Sequence, residues 1–395
     1  MKSRRFWVLS VVVVLAVAVA ISGCAQEQPK PAAPAAKPAA PAPAPKVFKI
    51  GFIGPLTGDV KTFGESTKNG FLLALEQAQM KVGEYTIQYV VADDRNDATE
   101  AVNVATKLIS QDKVQAIVGS VTSKCTIPIT EVAQNNKVVM ITSTATNVKV
   151  TVDNNKRKDF AFRACFIDPF QGKVGAKFAL SNLKAKTAAV LYDQGNDYTK
   201  GLAEVFRDNF VAGGGKVVSF DAYAEKDVDF SAVLTKVARL APDILYLPDY
   251  YQKVSLIGKQ ARQKGIKGAF LGGDGWDSSE LDFATMEGGY FTNHYSPEDT
   301  RPEVAKWVQQ YKAKYNAVPD ALATLCYDAT NLLLNAVKTA NSNDPVKVKD
   351  ALQATKDFAA VSGKITFDKN GDPVKSAAIL QIKSKKQTFV TSVAP

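Results

Sequence analysis

The chain has 395 residues, 49 lysines and arginines against 39 aspartates and glutamates, and a formal net charge of +10 at pH 7. Residues 1–46 hold six basic residues and one acidic residue, so the rest carries +5, scattered without a basic run or an aromatic-interleaved patch, and no nucleic-acid partner is expected. One histidine, His294, and four cysteines without a CxxC pair argue against most zinc sites and against a Ser-His-Asp triad.

At the amino terminus Lys2, Arg4 and Arg5 precede an apolar run from Phe6 to Ile21. The run is short for a membrane span of about 20 residues and has the layout of a secretory signal. It ends in Ile21-Ser22-Gly23-Cys24, small residues before a cysteine, the pattern of a bacterial lipoprotein cleavage box. Residues 1–23 are therefore expected to be removed. Cys24 is the expected lipidation site and would hold the protein at the membrane. Residues 24–46 form a linker, almost entirely Pro, Ala and Lys from Pro29 to Pro45, a composition that behaves as an extended, semi-rigid spacer.

About 350 residues follow, enough for two domains of ordinary size. Val47–Ile53 reads as a strand, and Gly64–Met80 as a helix with Phe71, Leu75 and Ala78 on one face. Tyr85–Ala92 is a strand, and Asp97-Ala98-Thr99-Glu100 is a capping box opening a helix to about Gln111. Ala116–Val118 reads as a short buried strand, Ser123–Asn135 as a helix and Val138–Ile141 as a strand. After a polar loop around Asn147–Asp159 the alternation restarts. Thr187–Tyr192, Lys216–Asp221, Asp243–Leu247 and Lys267–Leu271 are strand-like, and Phe170–Leu183, Tyr198–Ala212, Phe230–Leu240 and Tyr250–Lys264 helical. Strict alternation of this kind predicts parallel sheets covered on both faces.

Gly272-Gly273-Asp274-Gly275-Trp276-Asp277 follows one of these strands. Glycines let the backbone turn sharply and approach a ligand closely, and ligands of open α/β sheets sit beyond the carboxyl ends of strands. A carboxylate there, beside an indole face, suits an amine. The alternative is a tight turn with Asp274 as a helix cap and Trp276 as rim packing. From Pro302 the texture becomes helical: Pro302–Tyr315, Asp320–Ala340 and Pro345–Ala354. Asn370-Gly371, between strand-like Lys364–Phe367 and Ala377–Ile382, signals a hairpin. Its acidic turn is far shorter than the roughly twelve residues of an EF-hand loop, so no metal is expected. Without Cys24, the remaining Cys125, Cys165 and Cys326 allow at most one internal bridge, of unspecified pairing, or three free thiols.

The order of several stretches is distinctive. Ile50–Gly58 with Phe63-Gly64 comes first, then Asp93-Asp94, Gly119–Ser123 and Ser143–Asn147. Phe162-Arg163 with Asp168 and Gln171-Gly172, Tyr250-Tyr251 and Gly272–Gly275 follow. In order and spacing the body resembles, over nearly its whole length, the periplasmic leucine/isoleucine/valine-binding protein family of ABC-transporter receptors. The resemblance implies an α/β fold of two doubly wound Rossmann-like lobes joined by a three-segment hinge. Lobe one would be residues 47–165 and 294–360, and lobe two 166–293 and 361–395. The crossovers would lie near Arg163–Phe166, Thr292–Tyr295 and Val361–Asp372.

It further implies a monomeric receptor for a small, branched-chain or other apolar, amino acid, handed to an inner-membrane permease, with no cofactor and no enzymatic step. Binding of an amide, a urea-like compound or an aromatic or short acyl carboxylate is an alternative on the same fold. So is a non-transport activator or sensor of envelope enzymes. Ser123, at a strand end and helix start, would receive the ligand carboxylate from one lobe, with capping of its own helix as the rival role; by the resemblance Thr146 adds a hydroxyl beside it and Thr144 mainly backbone, with turn chemistry the rival role of both threonines. Tyr198, Tyr250 and Asp274 reach across from the other lobe, Asp274 taking the ammonium. Phe63 stands where the best-known members have tyrosine and, with Trp276, would line an apolar pocket. Those members bridge two cysteines near the cleft; here Asn96 and Thr122 occupy the positions.

Overall fold

The alternation of apolar and amphipathic stretches becomes two separate strand–helix windings in a computed structural model that describes residues 46–395. The signal segment, Cys24 and residues 24–45 of the linker lie outside the described residues. The first winding runs β1 (Lys46–Gly54), α1 (Lys61–Gln77), β2 (Lys81–Val82), β3 (Tyr85–Asp93), α2 (Ala98–Ser110), β4 (Ala116–Val118), α3 (Ser123–Asn136) and β5 (Val139–Thr142). A small hairpin follows, β6 (Val152–Asp153) with β7 (Lys156–Arg157), inside what the sequence presents only as a polar loop. Then comes β8 (Ala161–Arg163). The sheet order is β2-β3-β1-β4-β5-β8, parallel throughout except for the short edge strand β2. The predicted cap of α2 forms, with Asp97 accepting the Glu100 N–H at 2.8 Å.

The second winding comprises α4 (Asp168–Ser181), β9 (Thr187–Asp193), α5 (Asp197–Ala212), β10 (Lys216–Tyr223), α6 (Ser231–Leu240), β11 (Ile244–Leu247), α7 (Tyr251–Gln263), β12 (Ala269–Gly272) and β13 (Tyr290–Asn293). The chain then makes α8 (Pro302–Tyr315), α9 (Ala321–Ala340), α10 (Pro345–Gln353), β14 (Phe358–Ala360), β15 (Gly363–Ile365), β16 (Ala377–Lys383) and β17 (Lys386–Val393). The second sheet has the order β10-β9-β11-β12-β13-β16-β17, with β16 antiparallel to both neighbours.

Each sheet separates two apolar layers. On the first, Phe71 and Leu75 of α1 pack with Leu325, Ala329 and Leu332 of α9 against Phe52 and Val139. On its other face α2 and α3 bring Ala101, Ala105, Leu108 and Ile129 onto Ile53 and Ile117. The helices after β13 thus return to the first sheet. The second sheet lies between α4 with α5 and α6 with α7, through Phe178, Phe206 and Phe210 on one side and Leu234, Val254 and Ile257 on the other. Burial of apolar area on both faces is why these strands read as continuous apolar runs.

The predicted hairpin is corrected. Its turn closes, with Asp368 N–H donating to Asp372 O at 2.9 Å, and Phe367 and Pro373 bridge across it. Its arms do not pair further: β15 joins β14, and β16 joins β13 and β17. Ile365 and Phe367 are drawn into the first core while Ala377, Ile379 and Leu380 enter the layers of the second sheet, so burial separates what the turn alone would join. Cys125, Cys165 and Cys326 are all buried free thiols. Among the described residues no helix is long and apolar enough to cross a membrane. Nor, among them, is any group of three or more His, Cys, Asp or Glu side chains placed to hold a metal ion.

Phe206, fully buried, stacks on Tyr246 at 3.8 Å between centroids and on Phe210 at 5.4 Å. Phe206→Ala is expected to cost about 3–5 kcal/mol, read as a lowered midpoint in urea denaturation.

Candidate functional site

The loops at the carboxyl ends of β4, β5, β9, β11 and β12 supply most of the lining of one small, partly open space, with Phe63 and Leu322 from α1 and α9. This is the position that open α/β sheets offer to ligands. The space is narrow, about 20 Å³, and is lined by Phe63, Ser123, Thr144, Thr146, Tyr198, Tyr250 and Asp274. Seven of the eight ligand-contact positions named from the sequence therefore meet in one place. Trp276 does not.

On the first side, Gly119 follows β4 with φ of 126°, a conformation that favours glycine. It carries the chain into α3 at Ser123. Thr122, the residue before the helix, makes no side-chain cap; its Oγ1 donates to Asn96 Oδ1 at 2.8 Å. A hydrogen bond thus spans the two positions where the resemblance places a disulfide. Ser123 does not cap its helix either: its Oγ accepts the Asn147 N–H at 3.2 Å, which leaves its own proton to donate. The first-turn N–H groups of α3 add donors for an anion. Thr144 spends its hydroxyl on Val121 O at 2.7 Å, so that residue offers mainly backbone. Thr146 Oγ1 is buried without a partner.

The loop carrying Thr146 is fixed by Arg163, which is fully buried. Its guanidinium donates to Ala145 O at 2.8 Å, Asn147 O at 3.0 Å and Thr151 Oγ1 at 2.9 Å, and pairs with Asp372 at 2.6 Å. A planar fork of donors suits such a multiple contact.

On the second side, Asp274 begins a single 3₁₀ turn and caps nothing with its side chain. Its Oδ1 accepts from the Tyr198 hydroxyl and from Gln171 Nε2, each at 2.8 Å, and its Oδ2 lies 3.1 Å from His294 Nε2. Gly273 makes this possible, because a Cβ there would sit 2.6 Å from the Tyr198 hydroxyl and 2.9 Å from Gln171 Nε2. The Tyr198 pKa is raised well above its ordinary value by burial and then by Asp274, so the phenol stays a donor. Tyr250, just before α7, lies flat on Tyr198 (5.4 Å, 3°) and edge-on to Phe63 (5.7 Å). Among the described residues its hydroxyl makes no well-formed hydrogen bond, with Asn196 beside it.

Trp276 is corrected to the core. It is fully buried, its indole N–H donates to Leu247 O at 2.9 Å, and it packs against Gly272 and Phe291. A buried indole needs an acceptor for its N–H, and the end of β11 supplies one away from the cavity. The sequence reading also missed Gln171 and His294, polar groups that only folding brings to Asp274, and the apolar Val121 and Leu322.

The two sides touch around the cavity. Tyr251 donates to Asp59 O at 3.1 Å, Thr62 Oγ1 meets Ser278 Oγ at 2.9 Å, and Asn147 Nδ2 donates to Asp197 O at 2.8 Å. Asp277 accepts the Ala321 N–H, the first of α9, at 2.8 Å.

Asp168 opens α4 next to this network. Among the described residues neither carboxyl oxygen makes a well-formed hydrogen bond; burial pushes its pKa up to about 8, the nearby Thr146 hydroxyl opposing this and Asp274 adding to it. The unfolded chain would release this proton near 3.8, so folding takes up a proton between about pH 4 and pH 8. The contribution of Asp168 to stability is then fully present below about pH 4 and lost as pH rises through about 8. Asp168→Asn should remove that slope: against the wild type, its melting temperature gains most above pH 8, and the gain shrinks as pH falls toward 4.

Two α/β windings whose loops enclose a small cavity of mixed polar and apolar lining define a two-lobed protein that binds a small molecule. The chain belongs to the periplasmic binding protein family, whose profile matches residues 47–387. It is 32% identical over 329 residues to the leucine-, isoleucine-, valine-, threonine- and alanine-binding protein of Pseudomonas aeruginosa, covering 82% of this chain and 86% of that one. The leucine binding protein LivK of Thermotoga maritima has a similar structure, with 39% identity, a TM-score of 0.84 and coverage of 88% of this chain and 99% of that one. LivJ of Streptococcus pneumoniae, in complex with isoleucine, has 32% identity, a TM-score of 0.82 and coverage of 89% and 100%. The fold is the type I arrangement of these receptors. The protein acts outside the cytoplasm and binds a solute rather than transforming one.

Proposed function

We propose that this protein captures leucine, isoleucine or valine in the cavity between its lobes and delivers it to the permease of an ABC importer. One observation carries the reading. Among the described residues the Thr146 and Tyr250 hydroxyls make no well-formed hydrogen bond on the lining of a cavity that also holds the Asp274 carboxylate, amid the apolar Phe63, Val121 and Leu322. Buried polar groups without partners are costly, and a zwitterion with a short aliphatic side chain answers all of them. Its carboxylate would take the Ser123 and Tyr250 hydroxyls and the first N–H groups of α3; its ammonium would take Asp274 and Thr146. The side chain would lie among Phe63, Tyr250, Val121 and Leu322.

The lobes would be residues 47–165 with 294–360 and residues 166–293 with 361–395, and the three crossovers between them would act as a hinge. Cross-lobe contacts such as Tyr251 with Asp59 would form on closure, and the permease would recognise the closed shape. Cys24 would carry the lipid, with the Pro/Ala-rich linker holding the lobes clear of the membrane.

The protein, unfolded and refolded to strip ligand, is to be melted against amino acids, amides and aromatic acids. Leucine, isoleucine or valine at a hundred times its dissociation constant should stabilise by about 2.7 kcal/mol, a shift of a few degrees. Asp274→Asn should abolish the shift. A response confined to ligands without an amine would overturn the assignment. In Thr146→Val, losing one buried hydroxyl contact should weaken leucine binding about tenfold, or roughly 1.4 kcal/mol, read by calorimetric titration.

A further inference from the structure

His294 is the only histidine of the chain and follows β13 directly. It is buried, and its two ring nitrogens have different surroundings. Nε2 lies 3.1 Å from Asp274 Oδ2, the oxygen that Tyr198 and Gln171 leave free. Nδ1 has no partner. A carboxylate only accepts, so in the neutral ring Nε2 carries the proton and Nδ1 is a bare lone pair. The ring is held in place by Phe166, with centroids 3.6 Å apart and planes 30° apart, and by its backbone N–H donating to Asn293 Oδ1 at 2.8 Å.

Asp274 lines the ligand cavity, but His294 lines a different space, a cleft of about 1220 Å³ whose walls include Tyr295, Ser296, Asp328, Ser362 and Lys375. A proton arriving from that cleft reaches the imidazole without passing through the ligand cavity. On this geometry we propose that His294 is the positioning residue of the Asp274 carboxylate, and that its protonation weakens capture of the ligand ammonium. The inference rests on the reading that Asp274 receives that ammonium.

The neutral ring fixes Oδ2 by donating one hydrogen bond, while Oδ1 is fixed by two. The protonated ring sets a full positive charge against the same carboxylate, where it competes with the ligand's cation. The charged groups facing His294 are Asp274 and Asp277 from the loop after β12 and Lys375 from the segment before β16. Asp168 acts on Asp274 from the start of α4. Burial lowers the His294 pKa below its ordinary 6.5. Burial likewise lowers that of Lys375 to about 8, and Asp168 also changes charge near 8. Asp249, beside Tyr250, and Asp320, next to Asp277, are pushed by burial to about 7 and also change charge in the acid range, so the histidine effect is the part of the acid decline that His294→Gln, which keeps those carboxyls, removes. Its sign follows from linkage: the ligand cation disfavours the imidazolium, binding releases a proton, and affinity falls as pH falls.

The test uses the full chain with leucine as the probe, titrated calorimetrically from pH 5 to pH 7.5 in the wild type, His294→Gln, His294→Ala and Asp274→Asn. The wild type should lose affinity toward acid, by up to about tenfold per pH unit below the histidine pKa. His294→Gln, whose amide can still donate to Asp274, should bind within about threefold of wild type at pH 7.5 and lose the histidine part of the acid decline; His294→Ala should be weakened about tenfold at pH 7.5. Because the chain has one histidine, its imidazole nitrogen resonances give a second readout without ligand. They should show the Nε2–H form at pH 7.5 and a pKa that falls when leucine is added. An acid decline that persists undiminished in His294→Gln, or an imidazole pKa unmoved by leucine, overturns the proposal even when Asp274→Asn no longer binds. Wild-type affinity in Asp274→Asn overturns the ammonium reading itself, and this inference with it.

Discussion

The structure turns on one buried carboxylate. Asp274 stands in a narrow cavity where ionisation without partners would be costly, and donors on three different segments surround it: Gln171 from α4, Tyr198 from α5 and His294 after β13. A charge held by hydrogen bonds alone keeps its attraction for an external cation. A lysine or arginine in direct contact would have cancelled it. The glycine before Asp274 and the burial of Tyr198 follow from the need to crowd donors around one side chain.

The opposite wall answers a different requirement, which is to keep a hydroxyl in place and unspent. Arg163 does this from below. By holding the carbonyls of Ala145 and Asn147 it fixes the backbone on both sides of Thr146 and leaves that residue's Oγ1 unpartnered. The same guanidinium pairs with Asp372, 209 residues away in the chain, in the segment leading back to the second sheet. The rigidity of the binding loop and the course of the chain between the two sheets thus share one ion pair. Breaking such a buried pair leaves an uncompensated charge, so the loop has little freedom to drift.

A half-satisfied polar network is less stable than a complete one. In the cavity that deficit is a binding drive, since a zwitterion supplies the missing partners on both sides at once and favours the arrangement in which both sides touch it. The Thr122–Asn96 hydrogen bond serves in the same spirit. It ties the start of α3 to the loop after β3 with a contact weaker than a covalent bridge and independent of redox state.

Much of this was legible in the chain. Alternating apolar runs and amphipathic stretches, the Asp97 cap and the Pro302 start of α8 depend on neighbours a few residues apart, and they fell close to where the pattern put them. The order of short motifs pointed to Ser123, Thr146, Tyr198, Tyr250 and Asp274, which share one cavity. Other features needed the folded molecule. Trp276 looked like a pocket residue until the acceptor at Leu247 and the space beside Gly272 were known. The arms of the Asn370-Gly371 turn looked like a hairpin until each found a separate core. Arg163 and Gln171 stand in recognisable motifs, but their roles, like that of His294, are not legible there, because their partners come from distant segments. Local periodicity is set by adjacent residues and is therefore written in the sequence; the pairing of a buried polar atom is set by whatever the fold brings within three ångströms, and only the tertiary structure decides it.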